Sequence, residues 1–121
     1  MILSKFDINF SICRLNDITS VDLSRDFVFF ARTDEEISLV CPADQVPQDA
    51  LAVEAGWKAF RIEGVLDFGM VGVLSKISGV LAAENMSIFA VSTYNTDYIF
   101  LKSDIFEKAV SLLENNGYEF K

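Results

Sequence analysis

The sequence predicts an α+β fold made of two tandem βαββαβ units in the ferredoxin-like order, the first of them degenerate. Three observations carry this. The run from Gly64 to Lys121, with the strand before it, reads as strand, loop, helix, strand, strand, helix, strand. A faint repeat relates the two halves of the chain. The first half has too few residues between its strands for a full first helix.

The second half is the clear copy. Trp57 to Glu63 alternates apolar and polar residues, the mark of a half-buried strand. Met70, Leu74, Ile77 and Leu81 share one helical face, widened by Val73 and Val80, and predict a helix from about Met70 to Glu84 with Asn85 near its C-terminal cap. Ser87 to Thr93 reads as a strand, Asn95-Thr96-Asp97 as a turn, and Tyr98 to Leu101 as the next strand. Asp104 with Glu107 resembles a capping box for a second helix, which stops at Asn116-Gly117 before Tyr118-Glu119-Phe120 closes the sheet.

The repeat sets Gly56-Trp57-Lys58 against Gly117-Tyr118-Glu119, Leu51 against Leu112 and Ile37–Val40 against Tyr98–Leu101. With one residue of slip, Arg32-Thr33 falls on Ser92-Thr93. In the first copy, Phe6 to Leu15 and Phe27 to Thr33 read as strands. Only about ten residues separate them, and a four-turn helix needs roughly 15, so the first helix is missing or cut to a turn. Ile37 to Cys41 reads as a strand, and Gln48 to Ala55 as a short helix with Pro47 at its start. The boundary between units falls at residues 58 and 59, giving units 1–58 and 59–121.

Composition narrows function. The chain has 121 residues, 51% of them apolar, with eleven Phe and a single Trp, enough for a real core. The net charge of −8 argues against nucleic acid and anionic membranes. With no His, histidine-based triads and most zinc chemistry are excluded. No metal site is expected at Asp34, Glu35 and Glu36, which are consecutive and cannot all face one ion, and with no dinucleotide-binding or P-loop fingerprint no cofactor is expected. Cys13 and Cys41 read as reduced core thiols and Trp57 as core. The first residues lack a signal-peptide pattern and no apolar run reaches membrane-spanning length, so a soluble cytoplasmic protein is expected.

Two places carry candidate binding chemistry. Asp67, Phe68, Gly69 and Gly72 form a loop entering a helix, where backbone N–H groups can face a small carboxylate and Asp67 is placed to cap. The alternative is an ordinary glycine-containing turn. Ser92-Thr93-Tyr94-Asn95-Thr96-Asp97 concentrates hydroxyl, amide and carboxylate groups between two strands. These groups can hold a ligand's ammonium or polar tail, or only bond their own turn. Arg32 and Thr33 occupy the equivalent place in the first copy.

Several stretches together resemble a known family: Arg32-Thr33-Asp34-Glu35-Glu36-Ile37-Ser38, Gly56-Trp57-Lys58-Ala59, Gly64 to Phe68, and Ile88 to Tyr98. The chain resembles ACT-domain proteins, in particular small bacterial tandem ACT proteins related to the arginine-sensing CASTOR group. The resemblance runs from about residue 6 to the end. It implies a ferredoxin-like fold and non-catalytic binding of a free amino acid between ACT units. It assigns Asp67, Phe68, Gly69 and Gly72 to the ligand's backbone end and Thr93, Tyr94 and Asp97 to the other, with Asp97 at the position that meets a guanidinium in the arginine sensors; Asn95, in the same polar run, completes the candidate site. A homodimer is expected with it. The competing reading is a protein-interaction module with a vestigial pocket and a protein partner.

Overall fold

The computed structural model describes residues 1–64 and 72–121. Among them lie eight strands, β1 (Ile2–Lys5), β2 (Phe10–Leu15), β3 (Phe29–Arg32), β4 (Ile37–Pro42), β5 (Ala52–Ile62), β6 (Phe89–Ser92), β7 (Asp97–Lys102) and β8 (Glu119–Phe120), with two helices, α1 (Val73–Ala82) and α2 (Ser103–Asn115). The chain forms two units, one made of Met1–Asp7 with Lys58–Lys121 and the other of Ile8–Trp57.

In the first of these, β5, α1, β6, β7, α2 and β8 follow one another in the βαββαβ order. The sheet runs β8-β1-β5-β7-β6. β1 lies between β8, which it meets in parallel, and β5, which it meets antiparallel with Leu3 opposite Ile62. The sequence reading began its first strand at Phe6, gave Ile2–Lys5 no strand and placed those residues in the other copy. A break at Phe6–Asn9 separates the two strands, and β1 takes its backbone partners from β5 and β8.

The predicted stripe on α1 is buried at Ile77 and Leu81, while Val73, Leu74 and Val80 pack at its margin. α2 buries Phe106, Ala109, Val110 and Leu113. Both helices meet Leu3, Phe60, Ile62, Ile99 and Leu101, the alternate residues of β1, β5 and β7. Asn85 adopts a left-handed φ of 58° just beyond α1. The capping box does not form, because α2 begins at Ser103 after Lys102. That puts Asp104 inside the first turn, where its charge still suits the helix N-terminus. Glu107 instead lies 3.5 Å from Lys5.

In the other unit the order is β3-β4-β2-β5, all antiparallel. Residues 16–28 hold turns and no helix. The helix expected over Gln48–Ala55 is absent. Ala43–Gln45 form a 3-10 turn, Pro47–Ala50 a turn closed by the Ala50 N–H on the Pro47 carbonyl, and Ala52 already starts β5. Eight residues are too few for a helix to hold without packing, and this backbone finds partners instead on β2, beginning with the Leu51 N–H on the Arg14 carbonyl at 2.8 Å. Gly56 therefore caps no helix. Four residues of β5, Glu54 to Trp57, stand against three of β2, Phe10 to Ile12, and Gly56 takes the bulge with φ 86°.

The two hairpins repeat each other at a constant offset of 60 residues (29 to 89, 42 to 102). Phe29 faces Val40 as Phe89 faces Phe100, and Arg32 faces Ile37 as Ser92 faces Asp97. The sequence match of Ile37 with Tyr98 was thus one residue out of register. In a strand, one residue of slip exchanges the two faces.

Candidate functional site

α1 starts at Gly72, whose φ of 82° is left-handed and whose carbonyl accepts from the Lys76 N–H at 2.8 Å. A side chain there would be strained, which is why glycine stands at this position. Asp67, the residue expected to cap the helix, lies outside the described residues with Phe68 and Gly69. The cap residue is Gly72 itself, which has no side chain to bond the first N–H groups. A helix start leaves its first N–H groups without intrahelical partners. Beside it opens a cavity of about 320 Å³, bounded by Gly72, Val73, Lys76, Asn116 and Tyr118. The first turn of α1 carries no acidic residue, and Lys76 adds a cation to the positive end of the helix. The setting suits a small anion such as a carboxylate.

The second predicted patch is a tight turn. The Thr93 N–H donates to the Thr96 carbonyl at 2.8 Å, and the Thr93 hydroxyl donates to the same oxygen at 3.0 Å and accepts from the Thr96 N–H at 3.3 Å. Ser92 donates to the Asp97 carboxylate at 2.6 Å. Thr93 and Asp97 thus serve their own turn. Tyr94 projects outward, 82% exposed, and Asn95 is exposed beside it. Thr96 is the exception. Its buried hydroxyl donates to the Ile62 carbonyl at 2.8 Å and fixes the hairpin against the end of β5, from which the chain leaves for Gly64. The turn and the end of β5 therefore share one end of this sheet.

Thr33 repeats Thr93. Its N–H donates to the Glu36 carbonyl at 2.9 Å, and its hydroxyl accepts from the N–H groups of Glu35 and Glu36. Arg32, Asp34, Glu35 and Glu36 are exposed. Cys13 and Cys41 are free buried thiols, and burial first, then the neighbouring Cys13, pushes Cys41 up to about 12.

Sequence reasoning missed a cluster on the helix-free face of the same sheet. Arg61 donates to the Tyr98 hydroxyl at 3.0 Å, and its guanidinium stands 5.0 Å from the Phe6 ring centre. Glu63 accepts from Ser4 and lies 3.7 Å from Arg61, and the Ser4 bond above all holds its carboxyl below the usual value. Arg61 and Glu63 alternate with Phe60 and Ile62, so the strand pattern contained half of this cluster. Phe6, just beyond β1, and Tyr98 of β7 are brought near only by the fold. Lys76 was missed for a similar reason, being an exposed polar residue until α1 and the end of α2 frame a cavity.

The ACT domain family model matches residues 52–115. The chain belongs to the ACT-domain family. The ACT match covers β5 through α2, the elements that build both candidate patches. Over 95 residues the ACT chain is 30% identical to the cytosolic arginine sensor for mTORC1 subunit 1 of Homo sapiens, covering 73% of this chain and 29% of that protein. The chain therefore spans less than a third of that relative. A solved structure from Agrobacterium tumefaciens matches with a TM-score of 0.87 and 31% identity, over 99% of this chain and 91% of that one. The regulatory subunit of aspartate kinase from Thermus thermophilus shares the fold, with a TM-score of 0.65 at 8% identity over 93% of this chain and 95% of its own. Among the described residues no helix is long and apolar enough to cross a membrane.

Proposed function

We propose that this ACT protein is a non-catalytic regulatory sensor of a free amino acid, whose carboxylate seats at the start of α1 beside Lys76. The observation that carries the reading is the cavity at Gly72, Val73 and Lys76, where a helix N-terminus and an ammonium side chain meet. The similarity to an arginine sensor and the shared fold with an aspartate kinase regulatory subunit support the ligand class. Asp67, Phe68 and Gly69 precede Gly72 in sequence, and Tyr94, Asn95 and Asp97 sit on the β6–β7 hairpin. The net charge of −8 gives a small preference for a cationic amino acid, limited by screening.

The tandem reading belongs to the same proposal. The matching registers of the β3–β4 and β6–β7 hairpins support an ancient duplication in which the first copy kept its strands and lost its helices. Met1–Asp7 then serves the complete unit rather than the degenerate one. A cytoplasmic homodimer that completes the site across copies fits this reading.

Thr93 and Asp97 are engaged within their own turn, which favours a second reading, an interaction module without a ligand. A thermal-shift screen against the twenty amino acids separates the two. A ligand at a hundred times its Kd adds about 2.7 kcal/mol. One stabilising amino acid, weakened in Lys76→Ala, supports the sensor, and no stabilisation by any of them favours the interaction module.

A further inference from the structure

The unit made of Ile8–Trp57 contains a hollow where the complete unit contains helices. At the offset of the two hairpins, Leu39 and Cys41 stand where Ile99 and Leu101 stand. Ile99 and Leu101 are covered by Ile77, Leu81, Phe106 and Val110 of α1 and α2. Leu39 and Cys41 face turns instead, with Val21 and Val28 from residues 16–28 only partly buried against them. The turns do not fill the volume two helices would take. They leave a cavity of about 230 Å³ with Val21, Val28, Leu39 and Cys41 among its walls.

The charges on its walls are unequal. Asp22 accepts from the Ser24 N–H at 3.0 Å and hydroxyl at 2.5 Å, and Arg25 lies near enough to lower its pKa, so these two charges offset each other. Asp44 lies across the cavity on the 3-10 turn, and its charge reaches the Cys41 thiol at the wall. Ser20 and Gln45 complete the walls, so the surface is mixed and more polar than apolar, with one carboxylate left in excess over Arg25. The volume lies below the range of drug-sized pockets. We propose that this hollow is a second ligand pocket, which takes a small amphipathic cation of the short alkylammonium class with its chain on Val21, Val28 and Leu39 and its ammonium on Asp44.

The test is a methyl-resolved NMR titration of the whole chain with n-butylammonium, with n-butanol as neutral and n-butyrate as anionic isostere. The expected result is saturable shifts of the Val21, Val28 and Leu39 methyls with n-butylammonium, and affinity about tenfold weaker for n-butanol and in Asp44→Asn. Asp44 is exposed, so that variant keeps the fold, which the spectrum itself verifies. Val28→Phe fills the hollow and removes the shifts. Absence of saturation, n-butyrate binding as well as the cation, or an unchanged affinity in Asp44→Asn would overturn the proposal.

Discussion

The Thr96 hydroxyl donates to the Ile62 carbonyl across 2.8 Å in a buried setting, joining the β6–β7 turn to the end of β5. This bond anchors the hairpin that carries Thr93, Tyr94 and Asp97, the residues that resemblance nominated for one end of the ligand. Thr96→Val removes the donor, keeps the shape and leaves a buried carbonyl unpaired. The expected loss is about 1–3 kcal/mol, read as a lower urea midpoint with an unchanged slope. A loss within error would mean that water replaces the bond.

Gly56 tests the bulge. Its φ is 86° and a Cβ there meets nothing within 4 Å, so Gly56→Ala incurs backbone strain without a clash. About 1–2 kcal/mol of destabilisation is expected. An unchanged melting temperature would show that the strand relaxes to ordinary β geometry.

The second unit was legible because its signals agree at every level. The stripe of Leu74, Ile77 and Leu81, the stop at Asn116-Gly117 and the alternation through Phe60 and Ile62 all describe what formed. The first unit was less legible. Gln48 to Ala55 has the composition of a helix, and only pairing with β2 makes it a turn and a strand. The strand Ile2–Lys5 was hidden because its partners, Phe60–Ile62 and Glu119–Phe120, lie at the middle and the far end of the sequence. The Thr93–Asp97 patch was visible as chemistry, with local turn bonds as one of its two readings, and Thr93 and Asp97 do make such bonds. Lys76 became a candidate only when the fold placed it beside Asn116 and Tyr118.

Cys41 predicts an alkaline dependence of stability. Its thiol rises from 9.0 to about 12 in the fold, so the folded chain keeps a proton that the unfolded chain releases. Its contribution is fully present below pH 9 and is lost as pH rises toward 12. Between those limits it lowers stability by up to about 1.4 kcal/mol per pH unit. Urea unfolding of the native chain and of Cys41→Ala on the alkaline side of pH 9 measures this as a difference in slope. Equal slopes would contradict the burial argument.

The central claim is that an amino acid is read at the start of α1. Amide-resolved NMR, with the stabilising amino acid added stepwise, tests it most directly. The account predicts saturable shifts concentrated at Gly72 to Lys76 and at Asn116 to Tyr118, reduced in Lys76→Ala. Shifts concentrated elsewhere, or none at saturating ligand, would contradict it.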